Sequence, residues 1–265
     1  MDNLLQVILL GVIEGITEFL PISSTGHLLI AQHWLGARSE LFTVAIQAGA
    51  ILAVVAIYWR RLWDLTLNLA QPANRSYLLK LLGAFAITVV GGLAAKLMGL
   101  ELPETLAPIA WAMLIGGAAI FVIEAHTARQ PLSEQLTWRV AAWVGVAQVI
   151  AGVFPGTSRS AATLFAAMLA GMTSRPAAAE FSFLVAIPTM FAATAYEVLN
   201  LYRHGQIAQE HWSDLGVGFV VSAIVAFIVV KWLLMYIQTH RFTVFAWYRI
   251  LAGGALLAFA AVSTL

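Results

Sequence analysis

The chain has 265 residues, 61% of them hydrophobic and 10% charged, with a formal net charge of +1 and a mean hydropathy of +0.88. This balance excludes a water-soluble globular domain and points to an integral membrane protein. Lys and Arg do not cluster, which excludes nucleic acid as a partner, and the lack of cysteine excludes disulfides and thiolate metal centres. Met1-Asp2-Asn3 has no basic n-region and no small-residue cleavage site follows the first apolar run, so that run is expected to stay in the protein.

In chain order the apolar segments fall at about 4–20, 22–35, 41–59, 77–98, 106–124, 137–154, 158–171, 176–198, 214–237 and 243–262. A full crossing needs roughly 20 apolar residues. Segments 41–59, 77–98, 106–124, 176–198, 214–237 and 243–262 meet that length. The other four are short and form two pairs, each split by a proline and a run of Ser, Thr and Gly. Each pair is predicted to be a re-entrant hairpin, helix-break-helix, entering and leaving by one face.

The two broken pairs carry related sequences. The first is Gly11-Val-Ile-Glu-Gly-Ile-Thr-Glu-Phe-Leu-Pro-Ile-Ser-Ser-Thr-Gly-His27; the second is Gly145-Val-Ala-Gln-Val-Ile-Ala-Gly-Val-Phe-Pro-Gly-Thr-Ser-Arg-Ser160. A shift of 134 residues aligns Gly11 with Gly145, Pro21 with Pro155, Ser24 with Ser158 and Glu14 with Gln148. Polar backbone inside hydrocarbon is tolerated only where it lines a cavity or is buried in protein. Paired breaks at matching places in two halves point to a binding site at the repeat interface. One hairpin plus three spans per half inverts the second half. The expected fold is therefore an all-α polytopic membrane protein, one domain over 1–265, with an inverted repeat of about 1–125 and 135–265.

Loop charges orient this arrangement. Arg60, Arg61, Arg75, Lys80, Arg129, Arg139, Arg175, Lys231 and Arg241 fall on one face, and Arg38, Lys96 and Arg203 on the other. The first face is expected to be cytoplasmic, with both chain ends and the Glu-rich hairpin outside. Trp34, Trp59, Trp138, Trp212 and Trp232 sit near span ends, as interfacial anchors do.

The polar residues inside the breaks carry the chemistry. Glu14 and Glu18 are one helical turn apart, and two carboxylates on one face call for a divalent cation or a shared proton; oxygen ligands without cysteine suggest Mg²⁺ or Ca²⁺. A water-filled vestibule is the plainer alternative. Ser23, Ser24 and Thr25 offer a helix cap and a nucleophile, and His27 lies within reach of a hydroxyl on the preceding turn. Gly156, Thr157, Ser158, Ser160 and Thr163 can form an anion nest around Arg159, whose planar fork suits phosphate. An ion pair of Arg159 with Glu14 or Glu18 would also bring the two breaks together. Glu180 is expected to support the site, and Arg249 to snorkel or to pair with a buried acid. His33, His126, His204, His211 and His240 read as surface groups. Gly91-Gly92, Gly116-Gly117 and Gly253-Gly254 read as packing sites.

Glu14-Gly-Ile-Thr-Glu18-Phe-Leu-Pro21-Ile-Ser-Ser-Thr-Gly-His27 and Pro155-Gly-Thr-Ser-Arg-Ser-Ala-Ala-Thr163 are similar to the paired signatures of the bacterial undecaprenyl pyrophosphate phosphatases of the bacitracin-resistance type, and Glu180-Phe-Ser-Phe-Leu-Val-Ala-Ile-Pro188 also fits. The resemblance implies hydrolysis of undecaprenyl pyrophosphate to undecaprenyl phosphate, recycling a lipid carrier for wall polymers. It also implies dependence on a divalent cation, a bacterial plasma-membrane location and an outward-facing site. In that reading Glu14 and Glu18 hold the cation and Arg159 clamps the phosphoryl group. Ser24 attacks with His27 as base; attack by His27 itself or by water stays open. The competing class is a transporter or flippase of a prenyl phosphate lipid, which would need Arg159 but not a nucleophile beside a base. A homodimer is compatible with the sequence.

Overall fold

The computed structural model describes residues 3–100, 105–205 and 210–263, with side chains as far as residue 260. Among the described residues the chain forms eleven helices and no strand. The ten apolar segments become α1 (Asn3–Thr17), α2 (Ser24–Leu35), α3 (Glu40–Ile57), α5 (Pro72–Leu97), α6 (Leu106–Thr127), α7 (Trp138–Val153), α8 (Arg159–Leu169), α9 (Arg175–Arg203), α10 (Trp212–Thr239) and α11 (Thr243–Ser263). The six expected spans are the six helices long and apolar enough to cross a bilayer: α3, α5, α6, α9, α10 and α11. The protein is a multi-pass membrane protein.

The eleventh helix, α4 (Trp59–Leu67), was not expected. It reads Trp-Arg-Arg-Leu-Trp-Asp-Leu-Thr-Leu, too polar and too short for a crossing, but it buries Leu65 while leaving Trp59 and Trp63 exposed. An amphipathic helix of this kind lies along a membrane surface. The five tryptophans expected as anchors are all exposed, four of them near helix ends and Trp232 about two turns inside α10.

Local chemistry sets the helix starts. Ser39 caps α3 by accepting from the Phe42 N–H at 3.1 Å, and Thr137 caps α7 by accepting from Val140 at 3.2 Å. Prolines open α5 and α9, where a missing N–H costs nothing.

Helix α1 packs on α10, α7 on α5, α3 on α9 and α10, and α6 on α11. The close approaches recur between the halves. A Cβ on Gly11 would lie 2.9 Å from the Gly218 carbonyl and 3.2 Å from Val221; one on Gly145 would lie 2.7 Å from the Ala84 carbonyl and 2.9 Å from Ile87. The same shift of 134 residues carries 11 to 145, 84 to 218 and 87 to 221. Across the α6–α11 contact, Gly117 faces the Ala246 carbonyl and Gly253 the Ala110 carbonyl, both at 2.9 Å from the added Cβ. This packing is consistent with two related halves. Both members of Gly116-Gly117 make close contacts, but the other two pairs are uneven: Gly91 meets Val149 and Gly253 the Ala110 carbonyl, whereas Gly92 and Gly254 face open space.

Candidate active site

Both short pairs break in the same way. Helix α1 stops at Thr17, whose hydroxyl bonds back to the Ile13 carbonyl at 2.7 Å, and the chain turns through Glu18–Ile22 into Ser23. Helix α7 stops at Val153 and the chain turns through Phe154–Thr157 into Ser158. Ser23 (φ 75°) and Ser158 (φ 68°) are the two non-glycine residues with positive φ among those described. Each caps the helix that follows, accepting from Gly26 N–H at 3.4 Å and from Ala161 N–H at 3.3 Å.

The geometric partner of Ser158 is therefore Ser23, not the Ser24 expected from the 134-residue alignment. The prolines keep that alignment, but the second break holds one more residue between proline and cap. Matching identities cannot reveal such an insertion. As a result Ser24 and Arg159 are equivalents: each is the first residue of its returning helix.

The two breaks touch. Ser160 Oγ donates to the Leu20 carbonyl at 3.1 Å, so Ser158 is the donor in its 3.1 Å bond to Ser160. Arg249, fully buried on α11, ties both loops: its guanidinium donates to Pro21 O (3.3 Å), Gly156 O (3.1 Å), Ala112 O (2.9 Å) and Met113 O (3.3 Å). Neither expectation for Arg249 holds, since it neither snorkels nor pairs with an acid. Carbonyls freed by a break in low dielectric need donors, and a guanidinium supplies several from one side chain. Gly116 makes the room, because a Cβ there would lie 2.3 Å from Nη2. Gly156 has φ 89° and its Cβ would strike the Ile109 backbone at 2.7 Å, so no larger residue fits that turn.

The reactive side chains gather where the breaks meet. Ser24 Oγ donates to Glu18 Oε2 at 2.6 Å, and Arg159 Nη1 stands 3.8 Å from Glu18 Oε1. Glu14 is fully buried, and neither of its carboxylate oxygens has a hydrogen-bond partner. That combination suits a divalent cation: Mg²⁺ commonly takes one or two protein carboxylates and completes its shell with water and substrate phosphate. No group of three or more His, Asp or Glu that could hold a metal occurs among the described residues, so Glu14 and Glu18 would supply the protein's share.

His27 and Ser24 are not joined. The His27 ring contacts Ser23 O through Nδ1 and the Tyr248 hydroxyl through Nε2, both at 2.6 Å. A carbonyl only accepts, so Nδ1 carries the hydrogen, and Nε2 accepts from Tyr248. Glu18 occupies the position beside the Ser24 hydroxyl that His27 was expected to fill. The two residues are three apart on one helix, but the Ser24 hydroxyl is turned to Glu18 and the His27 ring is held between the Ser23 carbonyl and Tyr248.

The remaining hydroxyls are partly spent on structure. Thr163 Oγ1 donates to Arg159 O at 2.8 Å, and Ser158 and Ser160 hold the loops as described. Thr25 and Thr157 are half-buried within the breaks. Glu180 forms its ion pair with Arg61 of α4 (3.5 Å) and not with either break, contrary to expectation. The five remaining histidines are exposed.

A cavity of about 930 Å³ opens beside His27 and Tyr248 between α2, α6 and α11. Leu29, Ile30, Trp34, Leu106, Leu256 and Phe259 make its lining mostly apolar, with His27 and Tyr248 at one end and Gln32, His33 and Thr105 toward the other. Sequence reading missed Tyr248; its one signal was a Tyr-Arg pair inside an apolar span.

A family model described as bacitracin resistance protein BacA matches residues 7–255. A protein named undecaprenyl-diphosphatase from Rhizobium johnstonii is 61% identical over 253 residues, 96% of each chain. One of the same name from Rhizobium etli is 61% identical over 249 residues, 94% of each chain. Another from Xanthomonas oryzae pv. oryzae is 56% identical over 257 residues, 97% of each chain.

Proposed function

This chain belongs to the bacitracin resistance protein BacA family, and from that premise we propose how it acts as an undecaprenyl-diphosphatase. It hydrolyses undecaprenyl diphosphate to undecaprenyl phosphate and inorganic phosphate. The carrier lipid is thereby returned for wall synthesis, and bacitracin resistance follows.

The observation that carries the mechanism is the 2.6 Å bond from Ser24 to Glu18, with Arg159 on the other side of the same carboxylate. A serine hydroxyl is a poor nucleophile until a base takes its proton. Glu18 is in contact to do so. Ser24 Oγ attacks the terminal phosphorus, the proton passes to Glu18, and the bridging P–O bond breaks to release undecaprenyl phosphate. Arg159 turns from Glu18 to the phosphoryl oxygens, where its fork and the free amides at the head of α8 meet the charge that develops. Phosphate binding thus falls to Arg159, with Thr25 and Thr157 at the edges, while Ser23, Gly156, Ser158, Ser160 and Thr163 shape the loops. A divalent cation held by Glu14 and Glu18 would supply charge neutralisation on the diphosphate. A carrier of prenyl phosphate would gain nothing from a hydroxyl bonded to a buried carboxylate.

The apolar cavity receives the proximal isoprene units. It runs from His27 toward Trp34 and Thr105, at the ends of α2 and α6 that the loop charges place outside. On this reading the site faces outward. Single cysteines at Ser39 and Arg129 are expected to separate under an impermeant thiol reagent on intact cells, the first labelled and the second not; the reverse pattern would invert the orientation. All the site residues come from one chain, so a homodimer would not complete the site.

The direct test is phosphate release from a C55 prenyl diphosphate by purified protein. Release that a chelator abolishes and added Mg²⁺ or Ca²⁺ restores is expected. Full release in chelator would remove the cation from the proposal.

A further inference from the structure

Hydroxyls inside apolar helices usually return their hydrogen to a carbonyl one turn back. Thr17, Thr88, Thr127, Thr163, Thr189 and Thr194 all do so here. Ser182, on α9, does not. It is 2% exposed, and its Oγ has no hydrogen-bond partner in the protein. Among the described residues Ser222 is the other buried serine in that condition, and it lines neither cavity.

Ser182 lines a second, small cavity of about 10 Å³. The polar walls of that cavity are Glu18, Arg159, Ser160 and Thr163, and the rest is Phe19, Phe183 and Ala186. A buried water needs about 10–15 Å³ of this kind of volume and two to four polar partners. The cavity reaches the lower limit of that volume, and the side chains of Glu18, Arg159, Ser160, Thr163 and Ser182 bound it. Apolar voids stay dry, but this one carries a carboxylate, a guanidinium and an unpartnered hydroxyl.

We propose that Ser182 holds one water between Glu18 and Arg159, and that this water is the second nucleophile of the reaction. The inference rests on the hydrolase reading with Ser24 as the first nucleophile. After undecaprenyl phosphate leaves, the phosphoryl group is esterified to Ser24 and Glu18 holds the serine's proton. That proton returns to the Ser24 oxygen as its bond to phosphorus breaks. The water's oxygen bonds to phosphorus and its released proton takes the vacated place on Glu18; inorganic phosphate then departs with that proton, which restores the Glu18 carboxylate for the next turnover. Ser182 accepts from or donates to this water throughout and exchanges no proton itself. It is therefore a positioning residue, and it acts on the second half of the reaction only.

The experiment measures pre-steady-state release of undecaprenyl phosphate and of inorganic phosphate by wild type, Ser182→Ala and Ser182→Gly, in detergent with excess divalent cation. For Ser182→Ala the first-turnover release of undecaprenyl phosphate is expected to keep its rate, with an amplitude of one equivalent per active site. Steady phosphate release is expected to fall about tenfold, the effect of losing one hydrogen bond to the reacting water. That amplitude also counts correctly folded enzyme. Ser182→Gly leaves space for a further water where Oγ stood and is expected to recover part of the loss. Added methanol should raise the ratio of methyl phosphate to inorganic phosphate in Ser182→Ala above wild type. Equal slowing of both products, or no change in either, would overturn the proposal. Failure of the hydrolase reading shows separately, as no phosphate release by wild type.

Discussion

The two breaks share a scaffold and divide the chemistry. Each ends a short helix, turns at a proline, and enters the next helix through a serine with positive φ that caps it. On that common frame the first break carries Glu14, Glu18 and Ser24, and the second carries Gln148 and Arg159 at the corresponding places. Glu14 is buried with both oxygens unpartnered, whereas Gln148 donates to Thr88 at 2.9 Å on the neighbouring helix. In the proposed mechanism the first break holds the cation and attacks, and the second holds the anion. Two breaks of like geometry thus meet, and in the proposed mechanism the residue at the head of each returning helix sets the part it plays.

The largest effect should come from weakening the anion-holding side. Arg159→Lys keeps the charge and loses the fork, so the phosphoryl group is gripped at one point instead of two. Turnover is expected to drop about 100- to 1,000-fold, or about 2.7–4 kcal/mol, as for loss of one preorganised transition-state donor. Turnover within threefold of wild type would put the anion site elsewhere.

Next comes the tie between the breaks. Arg249→Met leaves the Pro21 and Gly156 carbonyls without their donor, and an orphaned buried acceptor costs about 1–3 kcal/mol. Thermal unfolding in detergent should move down, and kcat should fall more than KM rises, because the loops carry the reacting groups and not the lipid cavity. Gly116→Ala is expected to repeat the defect more weakly by displacing the guanidinium. A stable Arg249→Met protein with full kcat would mean that the breaks hold their geometry alone.

The smallest effect tests the shared frame. Ser23→Ala and Ser158→Ala each remove a cap, worth about 0.5–2 kcal/mol. Alanine also dislikes positive φ, so glycine at either place should be less harmful than alanine. Unfolding measurements should give similar losses at the two serines. A large loss at one and none at the other would show that the breaks only look alike.

Much of this was legible in the sequence, for a physical reason. Hydrocarbon forces long apolar runs and punishes polar breaks, so the six spans and the two broken helix pairs stood out. Helix α4 did not, because an amphipathic helix lying along a surface obeys no crossing length. The one-residue insertion before Ser158 was hidden because identities align residues and not caps. Glu14, Glu18, Ser24 and Arg159 were singled out by the cost of charge and hydroxyl groups in lipid, and an Arg159–Glu18 ion pair was among the readings, but the Ser24–Glu18 bond was not. The choice of Glu18 over His27 as the neighbour of Ser24 depends on how α2 turns after Ser23, and Arg249's four carbonyls come from three other segments. Ser182 lies in the Glu180–Pro188 stretch that the resemblance picked out but was given no role there; its failure to bond within the helix marks it.

The central claim is that Ser24, on the first break, attacks a phosphorus held by Arg159 on the second. Rapid acid quench with substrate labelled in the terminal phosphate tests it most directly, since a phosphoserine survives acid and a phosphohistidine does not. Acid-stable label in the peptide containing Ser24, absent from Ser24→Ala, which should also keep less than about a tenth of wild-type kcat (a barrier rise above roughly 1.4 kcal/mol), is the expected result. Acid-labile, alkali-stable label on His27, or a Ser24→Ala enzyme that turns over at more than that rate, would contradict it.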